Sequence, residues 1–339
     1  MSLNEFRTQL NKRLVHFLWR QWAQLGLASA SVETRDEWVI DPEALLLLSA
    51  HFGRFDARLF DEIMDWLVKN AAFMNMPRLK SLMKRFGFKE GAVVAAMTDV
   101  VTRHNSRLTW RLPVLSRVEA DRNLFLFLDG NPLPDFWDPD EIFLRHGYRR
   151  GRVELRGLSS RFNAVMPECS LLRLRSLFGV TARAEIVLYL LTHEDGHPSG
   201  IARETGYSQK NVQDTLVDMT ASSVIHGKQL MTREKYYFML ATDRAPFLPI
   251  TDKPPRWITW PPLFLGLQRL AEELSELAVK SVSDRLLASE LRRIAEEVRP
   301  LFEASGFGGA LASVFERDIQ QFQSHFMGCV EKLLAEIDK

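Results

Sequence analysis

The segment from 201 to 216, IARETGYSQKNVQDTL, is the feature that most constrains how this chain can fold. Gly206 and Tyr207 stand where two helical patterns meet, and Ser208 is an N-cap residue for the second pattern. Apolar side chains recur on one side of both patterns, at Ile201, Ala202, Val212 and Leu216. This arrangement predicts two short helices joined by a tight turn.

The second of these helices has a polar free face. Its other early positions all carry side chains that can hydrogen-bond, namely Gln209, Lys210, Asn211 and Gln213. Amides and a lysine on the free face of a capped helix are what readout of base edges in the DNA major groove requires. We therefore expect the helix over 208–222 to read DNA, with Gln209, Asn211 and Gln213 on base edges.

The flanking sequence predicts one more helix before this pair and a β-hairpin after it. Thr181 and Ala182 begin an apolar helical run that ends near His193. Two strand-like runs follow, over 226–231 and 235–241, and the three residues between them form a turn. The predicted order from 181 to 241 is therefore three helices and then a hairpin.

Between about 180 and 241 this order resembles the winged helix-turn-helix domain of bacterial transcriptional regulators of the MarR/ArsR type. GYSQKNVQDTL is similar to the common pattern of Gly, an apolar residue, Ser-Gln, two variable residues, Val, three more and Leu. The resemblance implies that the wing over 226–241 contacts the DNA backbone or minor groove. The cations expected to hold DNA are Lys210, Lys228, Arg233, Lys235 and Arg183. Asp214 and Asp218 depart from the pattern, because carboxylates repel phosphate.

An internal repeat predicts a second copy of this unit earlier in the chain. Six residues precede a matching residue by 119 positions: Leu82, Gly87, Phe88, Val93, Met97 and Val100 match Ile201, Gly206, Tyr207, Val212, Leu216 and Met219. The segments 107–112 and 124–128 are the expected strands of a first wing. The sequence therefore predicts tandem winged helices.

The two copies are not equivalent. In place of the polar face, the first copy has Glu90, Gly91, Ala92 and Val94, which cannot read base edges. We expect this degenerate copy to pack against another element or a second chain. Its basic flanks leave non-specific phosphate contact open, at Arg78, Lys80, Lys84, Arg85, Lys89, Arg103 and Arg107.

The whole chain is predicted to be mainly α-helical with small β wings. The expected parts are an N-terminal amphipathic helix within 1–40, the degenerate winged helix at 41–128, a linker at 129–164, the DNA-binding winged helix at 165–248 and a C-terminal helical domain at 249–339. The linker is Pro-rich and acidic at first, then Arg-rich. Arginines continue to Arg183, and they could either lie along phosphates or form a solvated face paired with the acidic part of the linker.

Composition narrows the classes of protein that are possible. The net charge is +1, so any attraction to nucleic acid has to be local. Cys169 and Cys329 are far apart in sequence, which fits a reducing compartment and excludes a disulfide framework or a Cys-based zinc site. No apolar run approaches the length that spans a bilayer. We expect a cytoplasmic protein.

Motifs of catalysis and cofactor binding are missing from the sequence. It has no phosphate-binding glycine loop, no GxSxG elbow and no HExxH. His193, Asp195 and His197 are interpreted as a solvated loop rather than a metal site. Asp61, Glu62 and Asp65 are interpreted as a solvated helix face. We therefore expect no catalytic residue, no metal and no cofactor, and no enzyme activity.

The sequence thus favours a regulator that binds double-stranded DNA as a homodimer, since paired recognition helices give palindromic specificity. The alternative is an adaptor that binds a protein partner without reading DNA. This alternative stays open because the segment 165–248 has equal numbers of acidic and basic residues.

Overall fold

The computed structural model describes residues 2–28, 38–105, 108–110, 112, 124–128, 131–132, 138–229, 234–248, 255–280, 283–312 and 319–337. The helices are α1 (Leu3–Gln24), α2 (Pro42–Phe52), α3 (Ala57–Asn70), α4 (Met76–Phe86), α5 (Gly91–His104), α6 (Glu141–Arg145), α7 (Ser170–Phe178), α8 (Ala182–Thr192), α9 (Pro198–Thr205), α10 (Gln209–Thr220), α11 (Ala241–Arg244), α12 (Trp260–Val279), α13 (Asp284–Ala304), α14 (Gly309–Ala312) and α15 (Ile319–Ile337). The strands are β1 (Phe127–Leu128), β2 (Asn131–Pro132), β3 (His226–Gln229) and β4 (Lys235–Phe238). The prediction of a mainly helical protein with small β elements is confirmed.

Several helices begin where a short polar side chain can cap them. Asp41, Asp56 and Asn75 each accept a hydrogen bond from the backbone three residues later, at the starts of α2, α3 and α4. Such a cap satisfies a backbone N–H that the helix itself leaves unpaired. These starts are thus encoded locally in the sequence.

The first of two hydrophobic cores joins the N-terminal and C-terminal helices. It is built mainly from α1 to α5 and α12 to α15. The aromatic ring of Phe17 on α1 lies 6.0 Å from those of Trp260 and Phe264 on α12. The predicted segments 1–40, 41–128 and 249–339 therefore share one core, because the apolar stripe of α1 is covered by α2 and α12.

The described part of the predicted linker is folded onto this first core. Ile142 and Phe143 on α6 are buried, as is the guanidinium of Arg150. That guanidinium lies over the rings of Phe60 and Phe143 at 5.0 Å and also bonds to Asp61. The interpretation of 138–164 as a linker is therefore wrong, because its apolar and cationic side chains have partners on α3 and α6.

The second core is formed by α7 to α10 and the hairpin β3–β4, with Val39 added from the first half of the chain. The two strands are antiparallel, and His226 pairs with Phe238 at one end and Gln229 with Lys235 at the other. Tyr237 also exchanges backbone hydrogen bonds with Gly196, in the loop before α9. The hairpin is thereby attached to the three-helix group.

The first unit differs from the second in its hairpin and its packing. The predicted strand 124–128 does not pair with 107–112 in the described residues. Phe127 and Leu128 pair instead with β2, and Phe125 donates its backbone N–H to Arg149. Helices α9 and α10 pack directly on each other, whereas α5 packs on α2, α3 and α6. In the described residues 108–110, 112 and 124–128, the predicted strand pairing of the first wing is therefore absent, and Phe125 packs in the core beside Phe60.

A buried charge cluster joins the two cores, and its members are Asp41, Glu43, Arg78, Arg175 and Glu185. Arg175 on α7 bonds to both carboxylate oxygens of Glu43 at 2.7 Å and to Glu185 at 2.6 Å. Arg78 on α4 bonds to Glu43 at 2.7 Å, to Asp41 at 2.5 Å and to the carbonyl of Thr205 at 2.6 Å. The cluster therefore connects α2 and α4 with α7, α8 and α9.

Across the described ranges, no helix combines the length and the apolar character that crossing a bilayer would require.

Candidate nucleic-acid interface

The turn between α9 and α10 places the start of α10 at the surface. Gly206 adopts a left-handed conformation with φ of 82° and donates its N–H to the carbonyl of Ala202, which ends α9. Ser208 then caps α10 by accepting from the N–H of Asn211 at 3.2 Å. Glycine is favoured in this conformation because it has no Cβ.

One side of α10 is buried and the first turn of its other side is free. Val212, Leu216 and Met219 are the buried residues of the helix. Gln209, Lys210 and Asn211 are exposed, as their pattern predicts. The N-terminal turn of a helix also carries a partial positive charge, which favours a phosphate nearby.

The side chain of Gln213 has a different environment from the other three. It is half-buried, and its Nε2 donates to the Oη of Tyr237 at 3.0 Å. Tyr237 on β4 is fully buried in the second core. The amide of Gln213 therefore holds the hairpin against α10 in this structure, a contact that the spacing of residues along α10 does not reveal.

The hairpin presents two of the predicted cations. Lys235 is exposed, with its Nζ 5.1 Å from the ring centroid of Tyr237. Lys228 is also exposed, but it forms an ion pair with Asp195 in the loop before α9. Arg233 lies outside the described residues. Of the wing cations that the structure describes, Lys235 is therefore the more accessible to an anion.

Carboxylates occupy the C-terminal half of α10. Asp214 and Asp218 are both exposed, and Arg183 at the start of α8 lies 4.0 Å from Asp218. Arg183 remains 51% exposed, so this contact leaves much of its guanidinium accessible. The surface of α10 therefore changes from amides and a lysine at its first turn to carboxylates further along.

The loop before α9 is more enclosed than its polar sequence predicts. The ring of His193 stacks on Tyr189 at 3.9 Å, and its Nε2 lies 3.8 Å from Glu204. His197 is the N-cap of α9 and accepts from the N–H of Ser199. Burial raises the pKa of Tyr189 to about 12. Rather than forming a solvated loop, these side chains anchor the segment to α8 and α9.

Most described arginines of the Arg-rich stretch already have partners. Arg150 bonds to Asp61, Arg156 lies 3.6 Å from Glu62, and Arg152 lies 3.0 Å from Asp138. The predicted solvated face on α3 is wrong, because Glu62 and Asp65 are buried. Asp65 accepts the backbone N–H groups of Gly157 and Ser159, and so fixes the stretch on α3. Arg150 and Arg156 thus pair with carboxylates of α3, and Arg152 pairs with Asp138 of the acidic part of the predicted linker, whereas contact of these arginines with phosphates stays a prediction.

Comparison of this chain with protein-family models, with curated proteins and with solved structures found no match. The resemblance to MarR/ArsR-type regulators therefore stays a prediction from the residue pattern. What can be said about function has to come from the geometry of α10 and its hairpin.

Proposed function

We propose that this protein is a cytoplasmic, DNA-binding transcriptional regulator in which α7 to α10 and β3–β4 form a winged helix. One observation carries the proposal: Gln209, Lys210 and Asn211 are exposed together on the first turn of a helix whose opposite side is buried. Side chains at the N-terminal end of a recognition helix are those that contact base edges in helix-turn-helix proteins.

The proposal gives each side chain a role that suits its chemistry. Gln209 and Asn211 offer amides that can bond in pairs to the N6 and N7 atoms of adenine. Lys210 supplies a cation for phosphate. The contacts to the DNA backbone or minor groove are assigned to Arg183, Lys228, Arg233 and Lys235. To contact a phosphate, Lys228 has to break its ion pair with Asp195. Gln213 supports the hairpin and reaches a base only by leaving Tyr237.

The charge gradient along α10 supports one orientation on DNA. Its exposed carboxylates, Asp214 and Asp218, favour an approach in which the first turn enters the groove and the C-terminal half points away. An approach with the helix lying flat would bring both carboxylates towards phosphates. We therefore propose that α10 enters the major groove by its N-terminal end.

The proposal extends to a tandem arrangement and a homodimer. The register of the repeat supports a divergent first copy: Leu82, Val93 and Met97 are fully buried like Ile201, Val212 and Leu216, and Gly87 is left-handed like Gly206. In this copy α5 is enclosed, so it serves packing rather than readout. Two α10 helices, one from each chain, would reach successive major-groove faces.

A binding-site selection from random double-stranded DNA tests the proposal. We expect the wild-type chain to enrich one sequence and to bind it more weakly as salt rises from about 50 to 200 mM, because phosphate contacts release counterions. Gln209→Ala/Asn211→Ala should weaken binding to the enriched sequence by at least about tenfold, since each good amide pair contributes about 1–3 kcal/mol. Binding to unrelated DNA should change little.

Asn4→Ala is the matched control, because Asn4 is an exposed amide on α1, far from α10 in sequence. It should bind like the wild type. Equal affinity of the double variant and the wild type for the selected sequence would contradict base reading by these amides.

The alternative function is a protein-binding adaptor, and the C-terminal half of α10 is the observation that favours it. Val217 is 49% exposed and lies between Asp214 and Asp218 in the sequence. It is therefore an exposed apolar side chain flanked by two carboxylates. Two results together would support the adaptor. The wild-type protein would show no salt-dependent DNA binding, and Val217→Asp would lose a stoichiometric complex that the wild type forms with a protein partner.

A further inference from the structure

Four side chains from three separate segments meet beside the first core. His51 is at the end of α2, Glu90 directly precedes α5, and Gln268 and Glu272 are one turn apart on α12. The Nδ1 of His51 lies 3.0 Å from an oxygen of Glu90 and 3.6 Å from an oxygen of Glu272. The ligand atoms of these three residues all lie within 4.8 Å of one another. We call this group of four the His51 cluster.

The distances from His51 to the two carboxylates are close to those between atoms bound to one metal ion. Ligands about 2.0–2.1 Å from a cation lie about 3.0 Å apart at right angles and about 3.4 Å apart in a tetrahedron. The distances from His51 to the two carboxylates agree with these values. The side chains could therefore take up an ion with small movements.

Two buried oxygen atoms of the His51 cluster have no hydrogen-bond partner among the described residues. One is Oε2 of Glu90, a residue that is 8% exposed, and the other is Oε1 of Gln268, which is 1% exposed. Leaving such an oxygen unpaired destabilises the folded protein, and more so when the oxygen is charged. The unpaired Oε2 of Glu90 is thus a sign of a missing electrophilic partner, and the unpaired Oε1 shows that the present orientation of the Gln268 amide leaves its oxygen unused.

The side-chain amide of Gln268 can offer its oxygen to a cation without any movement of the backbone. Its Nε2 now donates to Glu90 at 2.6 Å and to Glu272 at 2.9 Å. The oxygen and nitrogen of an amide exchange places when the group is rotated by half a turn. In that orientation Oε1 would face both carboxylates. The amide oxygen and the two carboxylates would then repel one another unless a cation lay between them.

The protein's own cations leave part of the His51 cluster without a partner. The Nζ of Lys89 lies 3.6 Å from the carboxylate of Glu272, and its side chain is 79% exposed. The Nδ1 of His51 faces Oε1 of Glu90 at 3.0 Å, and Arg54 adds an electrostatic attraction to Glu90. None of these three cationic side chains bonds to Oε2 of the buried Glu90, and buried charges are ordinarily paired or bound to a metal.

We propose that His51, Glu90 and Glu272, with Gln268 as a fourth ligand, bind a divalent first-row transition-metal ion. One imidazole nitrogen with carboxylate and amide oxygens suits Zn²⁺ or Mn²⁺, and the absence of thiolates from the cluster disfavours soft ions such as Cu⁺. The ion would fasten the end of α2 and the start of α5 to α12. Sequence spacing does not reveal this site, because its ligands come from three distant segments.

Metal binding by the full chain tests the proposal. The protein is treated with a chelator, returned to buffer without metal and titrated with Zn²⁺ and with Mn²⁺ by calorimetry. We expect one equivalent of at least one ion to bind and to raise the melting temperature. Glu272→Gln should weaken binding by at least about tenfold. Because Glu272 is only half-buried, this variant is expected to fold like the wild type.

Glu276→Gln is the control, since Glu276 is an exposed glutamate one turn further along α12. It should bind the ion like the wild type. His51→Gln provides a second variant, and its far-UV circular dichroism separates loss of the ligand from loss of the fold. No uptake of either ion by the wild type, or equal affinity in Glu272→Gln and the wild type, would overturn the proposal.

Discussion

At the scale of single residues, Arg78 shows how little its sequence context says about its role. In the sequence it is one of several basic residues that flank the first repeat. In the structure it is buried and bonds to Asp41, Glu43 and the carbonyl of Thr205. Burial alone would raise the pKa of Asp41, but the adjacent Arg78 guanidinium holds that pKa below 3.8. Its charge therefore serves the packing of the protein rather than phosphate contact.

Arg78→Met removes the charge and keeps much of the volume. We expect it to lower the free energy of unfolding by about 3–5 kcal/mol at pH 7, because Asp41 and Glu43 lose a buried partner. Lys80→Met, at an exposed position on the same helix, should change it by no more than about 0.5 kcal/mol. Urea denaturation followed by circular dichroism measures both. Equal stability of the two variants would contradict the role of Arg78.

The same pair predicts a pH dependence. The pKa of Asp41 is lower in the folded state than in the unfolded state, so its contribution is complete well above pH 3.8. The contribution is lost as the pH falls below 3.8 through the lowered folded-state pKa. We therefore expect the stability difference between wild type and Arg78→Met to narrow below about pH 3.8. A difference that stays constant across this range would show that Asp41 is not the partner responsible.

At the scale of elements, α4 and the turn after α9 are fitted closely to each other. Ser81 on α4 donates its hydroxyl to the carbonyl of Gly206 at 3.1 Å. A Cβ placed on Gly206 would lie 2.8 Å from Cδ2 of Leu82, whereas one placed on Gly87 would meet no atom within 4 Å. Both glycines have positive φ. Comparing alanine substitutions at the two positions therefore separates the effect of backbone strain from the effect of steric contact.

Gly206→Ala should destabilise the protein more than Gly87→Ala. Each substitution costs about 1–2 kcal/mol for the left-handed backbone. At Gly206 the new methyl group also displaces the buried Leu82, which adds about 1–3 kcal/mol. Thermal unfolding of both variants measures the difference. If Gly87→Ala lowered the stability as much as Gly206→Ala does, the contact of Gly206 with α4 would contribute nothing to the difference in stability.

The sequence predicts what is local in these elements and misses what depends on distant partners. The cap at Ser208, the turn at Gly206 and the buried stripe of α10 follow from adjacent residues, so their pattern is sufficient. In the described residues, the strand predicted over 124–128 does not pair as expected because Phe125 packs in the core beside Phe60, which local alternation cannot show. Gln213 is similar, since its pattern indicates a free amide while its partner, Tyr237, lies on another element.

At the scale of the whole molecule, the two cores depend on each other through the buried charge cluster. Glu43 is at its centre, because it accepts from Arg78, from Arg175 and from the backbone of Asn75. These contacts tie α2 of the first core to α7 of the second. The sequence does not predict this coupling, because acids and bases far apart in the chain have to be paired by the fold.

The cluster predicts that the cores unfold together. In the wild type, hydrogen exchange in urea should report the same midpoint for peptides from α2 and from α10. Glu43→Gln should lower the midpoint of α10 more than that of α2, since Arg175 loses its carboxylate acceptor on the first core and keeps there the carbonyl of Phe73. Glu336→Gln, an exposed change on α15, should leave both unchanged. Coincident midpoints in Glu43→Gln would show that other contacts couple the cores.

The contact of Phe17 with Trp260 and Phe264 also determines when each part of the protein can fold during synthesis. The ribosome makes α1 first and α12 only after roughly 240 further residues, which takes roughly 10–50 s at usual elongation rates. The part of the apolar face of α1 that α12 covers, at Phe17, stays uncovered by α12 throughout that interval. The N-terminal core is therefore completed last, after every residue of α7 to β4 has already been made.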